Sequence, residues 1–569
     1  MILGTAGLVR LDPSTGQLFP VPISPPATPP AGLPTIPPSP TPAGFLAGLV
    51  TTASGNFIIG LSTNRLFVYE VASGTVLRSR NVTGLRAILS ASTDGSRFMA
   101  GPFLFDTQTL TIIGRTGTVS PALTGGSAFS VDGNAVYATF STQPAINPLN
   151  TNNPQNPGGA VIPGTIPGQT SNSAAQSVLQ VLRSASLTPD IGLRIPETIT
   201  SKIISSPDGQ YLFANSTSGL LVIPVGQLSN LPVLDVSATS LVLSVDMCNR
   251  TIATATVQIR NVGGGRMTFA ATVNNLAAPV ILSARSGVAP ATLSISFDPR
   301  NVTTRGTLQF TVVLVSAEAV NIEPAILVNL NFRDVADRGT IVPMTGVGVD
   351  LQMDSARKRL YIANYTRDQI EVFSLTSQTF LPPIRVGNRP LSMAMVDPNT
   401  LVVANSGAEN LSIVDLDAMQ EVDQIAMGPV PLNATPLFPR SIAASSNAIL
   451  FSAVPLAAVA GLPLGNGSIW QLSLLTRSAF PRLDLGTGTP NVVQGRNMLL
   501  APADGSTVMV VEGNGNLRLY DPIADTFPVT RTGAVLGLRG TASAAADGSF
   551  YVVDNFVFNS VLTSQGTIA

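Results

Sequence analysis

Histidine is missing altogether from this chain of 569 residues, and cysteine occurs once, at Cys248. The first absence removes His general bases, Ser-His-Asp and Cys-His arrangements, and His-ligated zinc, copper or haem. The second removes any intrachain disulfide and any thiolate cluster; in a strand-like stretch a lone thiol reads as buried and inert. It says little about compartment, since a chain of this size needs no covalent staples. Charged residues are scarce, at 11% against a usual quarter. Lysine is limited to Lys202 and Lys358, so nearly all positive charge is arginine, whose planar fork of donors suits fixed pairing and anion contacts. A formal net charge of −1 gives no global field to attract nucleic acid or an acidic membrane. Long apolar runs are lacking too: the most apolar stretch, 453–464, is broken by prolines and too short to span a bilayer. The opening Met1-Ile2-Leu3-Gly4 has no basic n-region or apolar h-region of a signal peptide.

What is abundant is a turn. Asp94-Gly95, Asp132-Gly133, Asp208-Gly209, Asp504-Gly505 and Asp547-Gly548 each separate two apolar runs. Asp-Gly in that setting is a strong hairpin signal, and a type I′ turn is expected. Weaker versions stand at Ser54-Gly55-Asn56, Asp354-Ser355, Asp397-Pro398-Asn399 and Ser446-Asn447. Uninterrupted turns recur about every 40 residues, the period of a four-stranded propeller blade. A second turn, as in Phe105-Asp106-Thr107-Gln108-Thr109 or Tyr520-Asp521-Pro522, would join the third and fourth strands.

The expected fold is therefore all-β: a β-propeller of about eight four-stranded blades with an inserted β-sandwich. Residues 1–232 would hold the first blades, with a Pro-rich linker at 20–43 and a long irregular loop at 143–175. Residues 233–343 lose the repeat and carry short alternating strands, as in Leu293-Ser294-Ile295-Ser296-Phe297, which reads as an inserted sandwich that can be excised. Residues 344–569 resume the blades. The chain opens on a third-to-fourth-strand unit and closes on a first-to-second-strand unit, so its ends are expected to complete one blade together. That gives eight full repeats and a shared ninth, more than the usual range of about 4–8 blades, so either one repeat is degenerate or the chain is a fragment carrying parts of two propellers, with truncation the favoured expectation.

Leu360-Tyr361-Ile362-Ala363-Asn364-Tyr365 through Ile370-Glu371-Val372-Phe373 resembles the YVTN family of β-propeller repeats. Leu401-Val402-Val403-Ala404-Asn405 with Leu411-Ser412-Ile413-Val414-Asp415 matches in register, and Tyr211-Leu212-Phe213-Ala214-Asn215 is a third copy of the first half. The likeness is good over 346–428 and looser elsewhere. The sandwich is similar to bacterial Ig-like modules by strand pattern only. The resemblance implies an extracellular or cell-surface protein and no single activity.

Chemistry is sparse. Gly263-Gly264-Gly265 opens no helix and reads as a turn. The Asp-Gly pairs lack the alternating ligands and terminal Glu of a calcium loop, so no metal and no cofactor is expected. One constellation stands out. Arg86, Arg389, Arg496 and Arg539 lie eight residues before a first turn, while Lys202 and Arg440 lie six before. Even offsets place them on one face of the innermost strand, at the mouth of a propeller channel. Either each pairs with a carboxylate between blades, or the collar binds an anion. The expected function is non-catalytic binding by one propeller face, with other surface proteins or an anionic glycan or carboxylate as partner. The alternatives are a self-assembling subunit of a surface layer, filament or sheath, and a lactonase-like hydrolase, which the missing histidines disfavour.

Overall fold

A computed structural model describes residues 2–4, 7–21, 47–62, 64–85, 88–116, 125–139, 178–275, 278–303, 305–322, 324–334, 336–428, 435–455, 465–485, 491–535, 540 and 542–568. Among the described residues the chain is all-β, with one 3-10 turn, Val225–Asn230, as its helical segment. Strand burial explains the sequence pattern. Thr400–Asn405 is buried on both faces and so does not alternate, whereas the outer strand Thr379–Arg385 is largely open to solvent.

Among the described residues, ten antiparallel meander sheets follow one another in two groups of five, with their strands within 2–21, 47–81, 89–115, 127–194 and 199–223, then 348–385, 390–426, 437–481, 497–531 and 542–567. Eight have four strands in sequence order, one of them joined by the short strand Val492–Val493; the sheets at 2–21 and 199–223 have three. Within each group neighbouring sheets share apolar clusters, such as Met99, Phe129 and Leu182, or Tyr361, Leu401 and Val414, or Met509, Tyr551 and Phe558. The first strands of successive sheets lie side by side.

The Asp-Gly turns differ from the type I′ expectation, because only the glycine has positive φ. Gly95 N–H closes the turn on the Ser92 carbonyl at 3.0 Å, and φ of +73° lets Gly95 lead into the next strand. A side-chain network fixes the corner. Ser92 Oγ donates to Asp94 Oδ1 (2.6 Å), which also accepts from Ser96 N–H (3.0 Å), while Ser92 Oγ accepts from Arg97 N–H (3.0 Å). Ser130 with Asp132 repeats this, and so does Ser206 with Asp208.

The motif asparagine Asn405 is structural. Asn405 is fully buried and donates to Asn410 Oδ1 and Ser412 Oγ, both at 2.8 Å. The preceding loop passes so close that a Cβ on Gly387 would meet Asn405 Nδ2 at 2.3 Å.

Residues 234–333 form two sheets around one core that includes Val257, Ile259, Phe269, Phe297, Leu330 and Phe332. Thr239 Oγ1 donates to Thr345 Oγ1 at 3.3 Å, which brings a residue near the start of this stretch to the segment that follows its end. The stretch also reaches back to the strand Pro189–Arg194: Arg194 N–H donates to the Val320 carbonyl (3.0 Å) and Ile322 N–H to that of Gly192 (2.8 Å). Cys248 is exposed rather than buried, because the strand Ser240–Asp246 ends before it and its N–H caps Asp246 Oδ1 at 2.7 Å.

The chain ends do not share a sheet among the described residues. Asn559 takes the turn role that aspartate plays elsewhere, accepting from Thr563 N–H at 2.8 Å with Leu562 at φ +58°. Phe556–Asn559 and Ser564–Thr567 are thereby paired, completing a last four-stranded sheet that the sequence pattern had left half-built.

The outer edge of the first group rests on loops of the second. Phe438 joins the cluster of Phe98, Phe105, Leu110 and Ile112. Asn388 Nδ2 donates to the Ser186 carbonyl at 2.8 Å, and Thr188 Oγ1 donates to Asp368 Oδ2.

Candidate functional site

That contact brings arginines together. Arg389 immediately precedes the strand Pro390–Asp397 in a left-handed conformation, φ +57°, and is 7% exposed. Its backbone is pinned: the N–H donates to Asp368 Oδ1 (2.7 Å), and the carbonyl accepts from Ser406 N–H (2.9 Å) and Oγ (3.0 Å). Its guanidinium lies 5.6 Å from the ring centroid of Tyr365, a cation–π contact. Arg440 sits at a register break in the strand Leu437–Ala444, and Arg496 immediately precedes the strand Asn497–Leu500.

A fourth guanidinium enters from the other group. Arg115 ends the strand Ile112–Arg115 and donates its N–H to Asn388 Oδ1 (3.2 Å). Its Nη2 reaches the Ser406 carbonyl at 3.4 Å, and its guanidinium lies 5.7 Å from the Phe438 ring centroid.

Among the described residues no carboxylate lies within ion-pair distance of Arg115, Arg389, Arg440 or Arg496. Nε of Arg115, Nε of Arg440 and Nη2 of Arg496 are sealed from solvent without a hydrogen-bond partner. A buried donor left in that state costs about 1–3 kcal/mol, and more when charged. Burial, followed by the like charge of Arg389, brings the Arg115 guanidinium down to about 9, with Tyr365 opposing. Burial and then the charge of Arg496 lower Arg440 in the same way. Burial raises the pKa of the Asp368 carboxyl, opposed by the hydrogen bonds from Thr188 and Arg389 N–H, the charge of Arg389 and the hydrogen bond from Asn388. Tyr365 is the hub. Burial alone would raise its phenol, but the charges of Arg389 and Arg115, with hydrogen bonds from Arg389 and Ser406, hold it below its ordinary 10.0.

Of the arginines and lysine singled out by spacing, the structure gathers Arg389, Arg440 and Arg496. Lys202 lies exposed on the strand Ile199–Ser205 and is not brought to them. Arg86 and Arg539 lie outside the described residues, as do residues 143–175 and most of the apolar loop after Pro455. Sequence spacing missed Arg115, which sits on a fourth strand, and Tyr365, although Tyr365 adjoins the motif Asn364. No group of three or more Cys, Asp or Glu able to hold a metal occurs among the described residues. No described helix is long and apolar enough to cross a membrane.

No family model and no curated protein matches the chain. Among solved structures, it is similar to Kuenenia stuttgartiensis hydrazine synthase at 18% identity and a TM-score of 0.29, over 39% of this chain and 58% of that one. The match thus spans a little over half the length of that chain, and at this similarity it assigns neither fold nor function.

Proposed function

We propose that this chain is a non-catalytic, extracellular or cell-surface interaction protein. In this reading its meander sheets are blades of YVTN-type β-propeller architecture, residues 233–343 are an inserted Ig-like sandwich, and an anionic group of the partner is recognised at the arginine cluster. One observation carries the reading: the guanidinium groups of Arg115, Arg389 and Arg440 lie about Tyr365 with Arg496 beside Arg440, and three nitrogens of this cluster are closed to solvent without an acceptor. Anions satisfy such donors by short, charge-assisted and often bidentate bonds. Isothermal titration with sulfate, a dicarboxylate and chloride at matched ionic strength tests it. Saturable binding of the polyvalent anions that is lost in Arg389→Met supports the reading; no binding by the wild-type protein sinks it.

A self-assembling structural subunit is the second reading. The three-stranded sheet at 199–223 turns a cross-strand row, Ile204, Phe213 and Val222, outward, with Leu220 beside it; Ile204 is 53% and Leu220 67% exposed. A contiguous apolar face of this kind marks an interaction surface. Sedimentation velocity decides: association that Val222→Lys abolishes favours assembly, and a monomer at every concentration removes it.

A further inference from the structure

We infer that the arginine cluster is a site for one compact tetrahedral oxyanion, sulfate or phosphate, that bridges the two halves of the chain. The inference rests on the anion-binding reading and adds the ligand's shape and its mechanical role.

Shape follows from the donors. Arg389, Arg440 and Arg496 come from three successive sheets of the second group, whereas Arg115 comes from the outer strand of a first-group sheet. Donors converging from separate walls need acceptors pointing in several directions. A tetrahedral oxyanion offers them; a monocarboxylate offers two oxygens in one plane. Enclosure sets size: Arg389 is buried and the unpartnered nitrogens of the other three are closed to solvent, so the group must be small. Four positive charges stand together here with no carboxylate within ion-pair distance among the described residues. A dianion lowers that imbalance most for its volume.

The mechanical role follows from Arg115. Its strand is anchored to the second half by backbone contacts: Ile112 N–H donates to Glu409 Oε2 (2.8 Å), Glu409 N–H donates to the Ile112 carbonyl (2.7 Å), and Arg115 N–H donates to Asn388 Oδ1 (3.2 Å). An oxyanion held by Arg115 on one side and by Arg389, Arg440 and Arg496 on the other draws these halves together.

The test is calorimetric titration of the full chain with sodium sulfate and sodium phosphate, with sodium acetate as control, and hydrogen exchange with and without sulfate. Saturable sulfate or phosphate binding is expected, with acetate at least about tenfold weaker. Arg115→Met is expected to lose about tenfold or more in affinity, and sulfate is expected to slow exchange in residues 112–116 and 386–389 together. If Arg115→Met does not fold, Arg115→Lys and the exchange data on the wild-type protein carry the test. Sulfate binding that Arg115 variants leave unchanged, with slowed exchange in 386–389 alone, overturns the bridge and leaves anion binding standing. Acetate binding as tightly as sulfate overturns the assigned shape. Failure of every anion to bind removes the bridge and the anion-binding reading together.

Discussion

Arg80 and Glu409 stand 329 residues apart in sequence and form a buried bidentate pair, Nη1 to Oε2 at 2.6 Å and Nη2 to Oε1 at 2.5 Å, with both side chains 2% exposed. Arg80 Nη1 also donates to the Leu110 carbonyl at 2.7 Å, and Glu409 Oε2 accepts from Ile112 N–H. The pair thus joins an outer strand of the second sheet to a loop of the seventh, with most of its remaining donors and acceptors occupied.

Removing one partner strands the other in the interior. Glu409→Ala or Arg80→Ala is expected to cost about 3–5 kcal/mol, whereas a double replacement by apolar residues of similar volume recovers much of it. Urea unfolding of the two singles and the double measures the coupling. Because the pair is sealed, its contribution should hardly change with ionic strength.

Arg440 is a charge the fold tolerates at a cost. Its pKa is depressed, so at neutral pH the folded state carries an unfavourable contribution that an uncharged side chain removes. Arg440→Met is expected to raise stability by about 1 kcal/mol while weakening anion binding, a stability–function trade-off. Thermal unfolding and calorimetry on the same variant check both halves.

Tyr365 should betray itself spectroscopically. Its phenol is held below 10.0, while burial raises those of Tyr137, Tyr361, Tyr520 and Tyr551, Tyr520 to about 12. Ultraviolet titration is expected to show an early phenolate that Tyr365→Phe removes. A depressed acid pKa favours folding above the unfolded value, and this contribution fades as pH falls through the folded one.

Acid should loosen the first-turn corners. The Ser92 hydroxyl, then the Ser96 hydroxyl and N–H, hold Asp94 at about 2 against a reference of 3.8. With the pKa depressed on folding, the contribution is complete above 3.8 and disappears as pH drops towards about 2. Asp94→Asn is expected to be less acid-sensitive than wild type in a pH series of thermal melts. Identical pH profiles would show that the corner contributes nothing measurable.

The second turns hold a cheaper improvement. Gln378 is exposed at φ +55°, a conformation costly for any residue with a Cβ. Gln378→Gly is expected to gain about 0.5–1 kcal/mol, measured by chemical denaturation.

Strands and corners were legible because their determinants are local. Ser92, Asp94 and Gly95 carry one turn between them, and Asn405 reads its neighbour Asn410 across five residues. The last sheet was harder, since Asn559 replaces the aspartate on which the pattern rests. Of the cluster, Arg389 and Arg496 lie eight residues before their turns and Arg440 six, all even offsets, so their side of the sheet could be inferred. Arg115 and Glu409 could not. Both act across hundreds of residues, and no periodicity encodes which outer strand comes to rest on which loop.

The Ser-x-Asp-Gly corner draws nearly all of its bonds from within itself. Ser92 through Arg97 satisfy one another, and the same wiring recurs from Ser130 to Ala135 and from Ser206 to Tyr211. A gene segment bearing such a corner can be copied, lost or moved and still bend at its new address, since the bonds that set the bend lie within six residues. Lineages using it are free to lengthen or shorten the array by whole units, and differences among relatives should then concentrate in the contacts between units rather than in the corners.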